Sequence, residues 1–116
     1  MFRILFYRTE RGQVPVADFI DALDEDLQVK VLRQIKLLEE FGNMLREPHS
    51  KPVGNGIYEL RIIESGNIAR VFYFFRSGRT IILTNGIIKK TQKLQLSAKR
   101  LAEQYMFDYV RRNGNG

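Results

Sequence analysis

The chain has 116 residues, 44% of them hydrophobic, with eight phenylalanines and five tyrosines, which suffices for one core and excludes a second domain of ordinary size. It contains no cysteine, so disulfide frameworks and thiolate metal sites are excluded and a reducing compartment, the cytosol, is expected. No signal-like segment opens it and no apolar run approaches the ~20 residues of a membrane span, so a soluble protein without a membrane partner is expected.

The net charge of +6 divides unevenly: residues 1–41 hold 6 Lys/Arg against 8 Asp/Glu, whereas residues 42–116 hold 13 against 5. A basic excess confined to one part of a chain points toward a polyanion such as nucleic acid.

In chain order, "MFRILFYR" has the β-branched and aromatic content of a strand over residues ~2 to 8. Pro15 suits a first helical turn, and Val16, Phe19, Ile20 and Leu23 follow at helical spacing. Asp24, Glu25 and Asp26 suit the positive N-terminal end of a second helix, whose stripe is Leu27, Val31, Ile35 and Leu38 and which "FGN" closes. "EPHSKPVGNG" reads as a loop, because it carries two prolines and two glycines. Three apolar runs, "IYELRII", "IARVFYFF" and "TIILTNGII", are separated by "ESGN" and "RSGR" and predict a three-stranded antiparallel meander. "SAKRLAEQYMFDYVRRN", with Leu101, Tyr105 and Tyr109 on one face, predicts a C-terminal helix. The fold class is therefore α+β: one domain over 1–113 and a frayed tail at 114–116.

A first turn centred between Ser65 and Gly66 sets Arg61 directly opposite Arg70. A second centred between Ser77 and Gly78 sets Arg70 beside Asn85 and Phe72 beside Leu83. By alternation Tyr58, Leu60, Ile62, Ala69, Val71, Tyr73, Phe75, Ile82, Thr84 and Ile88 then share the face that the helices cover, and Arg61, Arg70, Asn85 and Lys89 share the other. Like charges directly opposite destabilise a sheet by up to ~1 kcal/mol. Either a bound anion or local neutralisation by Glu59 and Glu64 accounts for the arginine pair.

There is no glycine-rich phosphate loop, no HExxH and no Cys/His cluster, so no metal or cofactor is expected. With one histidine, RNA cleavage by a pair of histidines is excluded, and such chemistry falls to Lys and Arg. Arginine forks match phosphate oxygens, and neighbouring cations make a lysine a better base. Lys89, Lys90 and Lys93 supply such neighbours. His49, two residues from Lys51, is a lesser candidate, and the tyrosines read as core.

The segments "GQVPVADFIDAL", "SKPVGNGIYELR", "ARVFYFF" and "IILTNGIIKKTQKL", in this order and over nearly the whole chain, resemble the HigB-type branch of the RelE/ParE toxins, in its phage-derived form. The resemblance implies a β-α-α-β-β-β-α order, a ribosome-dependent, metal-independent endoribonuclease acting on translated mRNA, and a cognate helix-turn-helix antitoxin in a higher-order hetero-oligomer. By position it implies Lys51, Arg61, Arg70 and the paired Lys89 and Lys90 as site residues; together with the candidates read from the residues themselves, Lys51, Arg61, Arg70 and Lys89 are expected to be catalytic, and His49, Asn85, Lys90 and Lys93 RNA-binding. Two positions depart from the pattern: the family often has His where Asn85 stands, and usually Pro near Leu94. Alternatives are a toxin acting on DNA gyrase, as ParE-type relatives do, a nonenzymatic RNA-binding protein, and a phage structural protein.

Overall fold

In the computed structural model, residues 1–89 and 95–114 are described. One mixed sheet carries three α-helices, in the order β1 (Arg3–Phe6), α1 (Pro15–Asp21), α2 (Glu25–Phe41), a 3₁₀ turn, β2 (Ser50–Gly54), β3 (Ile57–Glu64), β4 (Asn67–Arg76), β5 (Thr80–Lys89) and α3 (Leu96–Asn113). The strands lie in the order β1-β5-β4-β3-β2, with β1 parallel to β5 and the other pairs antiparallel.

The α+β class and the three helices follow the sequence pattern; the sheet corrects it. Five strands form, because part of "EPHSKPVGNG" is the edge strand β2, joined to β3 through Asn55 and Gly56, both at positive φ. That is the tight-hairpin geometry an Asn-Gly pair favours, and an edge strand tolerates Pro52.

The first meander turn is as expected: Ser65 and Gly66 take positive φ and Arg61 faces Arg70. The second differs twice. Gly78 and Arg79 also take positive φ, and Arg76 pairs with Thr80, so the turn has three residues. A bulge between Phe72 and Tyr73 then adds a further offset. Arg70 accordingly faces Ile87, Asn85 faces Phe72, Leu83 faces Tyr73, and Ile82 joins Phe74 instead of the Leu60 face.

The two sheet faces have different covers. Helices α1 and α2 lay Val16, Ile20, Leu27, Val31, Ile35 and Leu38 against Leu60, Ile62, Ala69, Val71 and Leu83. Asp24 caps α2 by accepting from the Leu27 N–H at 2.9 Å. Gly86 lets α1 approach, since a Cβ there would meet the Phe19 ring at 2.5 Å. The other face, expected to be open, is partly covered by α3. Its buried stripe is Ala98 and Ala102 with Tyr105 and Tyr109 beside them, packed on Ile57, Phe72, Phe74 and Ile82, while Leu101 faces outward. The expected tail lies mostly outside the described residues; Gly114 itself caps α3, its N–H donating to Val110 O.

Candidate nucleic-acid interface

The charged part of the α3-side face begins where the apolar part stops. On β3, Ile57, Glu59 and Arg61 point to this face, and on β4 Phe74, Phe72 and Arg70 do the same. Arg61 and Arg70 are therefore cross-strand neighbours, and Glu59 stands between their guanidiniums, with Oε2 3.5 Å from Arg61 Nε and Oε1 3.2 Å from Arg70 Nε. Glu59 is buried, and Arg70 has no exposed surface at all. A carboxylate shared by two guanidiniums converts a repulsive neighbour pair into an attractive triad. Of the two accounts of the pair, neutralisation by Glu59 is thus present in the fold; Glu64 turns away to Lys30, 2.7 Å distant, and this bond with that of Ser65 holds its carboxyl below the ordinary range.

Arg61 keeps part of its side chain at the surface and also lies 3.9 Å from Glu47. Lys51 is exposed on β2, directly across from Glu59, and Lys89 is half-buried on β5, across from Ile68. Lys51 is one strand and two residues from Arg61, about 8 Å by standard sheet spacings, so the two can engage one phosphate. Lys51 and Lys89 are three strands and four residues apart, about 20 Å by the same spacings, and cannot. The cations expected to act together thus divide into a Lys51–Arg61 pair and a separate Lys89.

Asn85 is buried, with Nδ2 donating to Ala98 O at 3.1 Å and Oδ1 accepting from Thr84 Oγ1 at 2.7 Å. Instead of presenting an amide to RNA beside Arg70, it fastens the start of α3 to the bulged strand. His49 is exposed at the sheet edge, where its carbonyl accepts from the Arg61 N–H and its Nδ1 lies 3.2 Å from Gln34 Nε2. Lys90 and Lys93 lie outside the described residues. The tyrosines are structural, as expected: Tyr58 stacks on Tyr73, whose hydroxyl bonds Ser50 Oγ and whose phenol burial pushes up to about 12.

Sequence reasoning missed a clasp at the far end of α3. Tyr7 OH donates to Asp108 Oδ2 at 2.5 Å, and Arg112 both contacts that carboxylate and stacks over the Tyr7 ring. The Arg112 and Tyr7 bonds hold the Asp108 carboxyl down at about 2, and burial followed by the Asp108 bond raises the Tyr7 phenol. The available signal was Asp108 and Arg112 at i, i+4 on a helical surface.

Among the described residues no helix is long and apolar enough to cross a membrane. A family model described as Phage derived protein Gp49-like (DUF891) matches residues 18–106, which takes in the end of α1, all of α2, the strands β2 to β5 and most of α3. No curated protein matches the chain.

Proposed function

The chain belongs to the Phage derived protein Gp49-like family, a toxin-like family related to RelE and HigB, and from that premise we propose that it is the toxin of a type II toxin-antitoxin system, a metal-independent endoribonuclease that cleaves translated mRNA on the ribosome. The observation that carries the reading is the Arg61 guanidinium, aimed by buried Glu59 and flanked by exposed Lys51 on one face. Phosphodiester cleavage builds negative charge on the phosphorane, and a preorganised guanidinium is suited to receive it. In this reading Arg61 and Lys51 contact the scissile phosphate, Lys89 holds a neighbouring nucleotide, and buried Arg70 is a positioning residue that fixes Glu59. The partners are the ribosome with its mRNA and a helix-turn-helix antitoxin that places acidic groups over Lys51, Arg61 and Lys89 or obstructs ribosome entry.

The test is cell-free translation with the purified chain, followed by mapping of new mRNA 5′ ends. New ends are expected, and Arg61→Ala lowers their rate of appearance by about 10²–10³. Arg61→Lys, which keeps charge but loses the fork, falls between. One observation favours a second reading, nonenzymatic RNA binding: a guanidinium as buried as Arg70 has no surface to offer a phosphate. Arrested translation without new 5′ ends supports that reading and overturns the first.

A further inference from the structure

Strand β2 pairs with β3 only as far as Leu60, with one more bond from the Arg61 N–H to His49 O, so β3 runs on past the end of its neighbour and Ile63 is exposed. Helix α2 passes this stretch, leaving a cleft of about 290 Å³ between helix and strand. Its lining includes Lys30 and Arg33 from α2 and Arg61 and His49 from the sheet edge, and among the described residues no carboxylate. Lys30 and Arg33 come from the half of the chain whose net charge is negative; folding carries them to the basic half.

Gln34 organises the cleft. Its Nε2 donates to Arg61 O at 3.0 Å, and a carbonyl acceptor fixes which amide atom faces it. The same nitrogen lies 3.2 Å from His49 Nδ1, so Nδ1 of the neutral ring accepts and Nε2 carries the proton. The imidazole is thereby set as a donor. Lys30 is anchored by Glu64 and Arg61 by Glu59, while Arg33 has no carboxylate partner among the described residues. One anchored cation, Lys30, one cation without such a partner, Arg33, and an oriented N–H donor around this hollow form a receptor for a tetrahedral oxyanion.

We propose that this cleft binds a backbone phosphate of single-stranded RNA, through Arg33, Lys30 and His49, on the helix side of Arg61. The inference rests on the reading given above only for the choice of RNA as the phosphate carrier. The cleft would hold the strand one or more phosphates away from the Lys51–Arg61 pair.

The test titrates the full chain with a short, fluorescently labelled single-stranded oligoribonucleotide and follows the His49 imidazole proton signals in parallel. Lys30→Gln/Arg33→Gln is compared with Lys36→Gln, an exposed lysine of the same helix that does not line the cleft. The double variant is expected to bind about tenfold or more weakly and to flatten the slope of log affinity against log salt by about 1.4, two contacts at ~0.7 each. Lys36→Gln binds within about twofold of wild type, and RNA moves the His49 signals in wild type but not in the double variant. The proposal is overturned if the double variant binds like wild type, if Lys36→Gln weakens binding as much, or if inorganic phosphate moves the His49 signals and RNA does not. Cleft-dependent binding without new mRNA ends upholds this site and refutes the nuclease; new mRNA ends with unchanged binding by the double variant do the reverse.

Discussion

The two faces of the sheet are held by different physics. Under α1 and α2 the cover is continuous and apolar: Leu60, Ile62, Ala69, Val71 and Leu83 meet helix side chains, and no charged residue is buried there among the described residues. Under α3 the same strands begin apolar, with Ile57, Phe72 and Phe74, and within one alternation become charged, with Glu59, Arg61 and Arg70. The first face is stabilised by area removed from water and degrades gradually when trimmed. The second depends on mutual pairing, so removal of one member exposes the cost of the others. A protein that needs guanidiniums fixed in place gains from the second arrangement, because paired side chains have few alternative positions.

The sharpest way to break this comparison is Arg70→Ala. For a repulsive arginine pair the substitution would leave folding unharmed or improved. With Glu59 buried between the two, it is expected to cost about 3–5 kcal/mol in urea denaturation, because it leaves a buried carboxylate under-paired. Unchanged stability would mean that Glu59 does not hold this face. On the opposite face, Ile62→Val removes one methylene from a well-packed layer and is expected to cost about 0.5–1.5 kcal/mol in the same assay. If it cost as much as Arg70→Ala, the two faces would not differ in kind.

The clasp and the buried phenols sharpen the contrast through pH. The Asp108 carboxyl ordinarily titrates at 3.8 and in the fold at about 2, so its contribution is complete above 3.8 and disappears as pH falls through about 2. Asp108→Asn should therefore lack the part of the wild-type acid transition that lies between those values, as followed by circular dichroism. At the alkaline end, Tyr73 titrates at about 12 instead of 10, so it favours the fold fully below 10 and loses that effect as pH rises through about 12. Ultraviolet difference titration should show Tyr73 ionising late, and Tyr73→Phe should remove that late step. Comparable to Ile62→Val, Tyr7→Phe forfeits one hydrogen bond to Asp108 and should lower stability by about 0.5–1.5 kcal/mol in urea denaturation.

Much of the fold was legible in the sequence because periodicity reports burial. Leu27, Val31, Ile35 and Leu38 repeat at helical spacing and are all buried, and Ser65-Gly66 fixed a register that places Arg61 against Arg70. What was not legible depends on contacts between distant segments. The two prolines hid β2, although Asn55-Gly56 was a hairpin signal within the same stretch. Leu101 looked like the inward side of α3, yet the close approach to the sheet is made by Ala98 and Ala102, whose small size allows it. Counting charge by halves of the chain concealed Lys30 and Arg33, since the fold places them beside Arg61. At the site, face membership of Arg61, Arg70 and Lys89 could be read by alternation, but whether each reaches solvent could not, because that is set by α3 and by Glu59.

The bulge in β5 has a consequence best stated as parity. A three-residue turn displaces the β4–β5 pairing by one, which alone would exchange the faces of every later residue in the strand, and the bulge displaces it by one again. The two displacements cancel beyond Phe72, so Asn85 returns to the side where Ala98 accepts its amide, and Gly86 to the side where Phe19 leaves no room for a Cβ. A slip of the pairing that set Arg76 against Arg79 while keeping the bulge would invert this order, directing Gly86 toward α3 and the Asn85 side chain toward the Phe19 ring. The turn and the bulge therefore set the faces of β5 together: a slip of the pairing at one inverts them unless the other slips as well, although four residues, Thr80 to Leu83, separate the two along the strand.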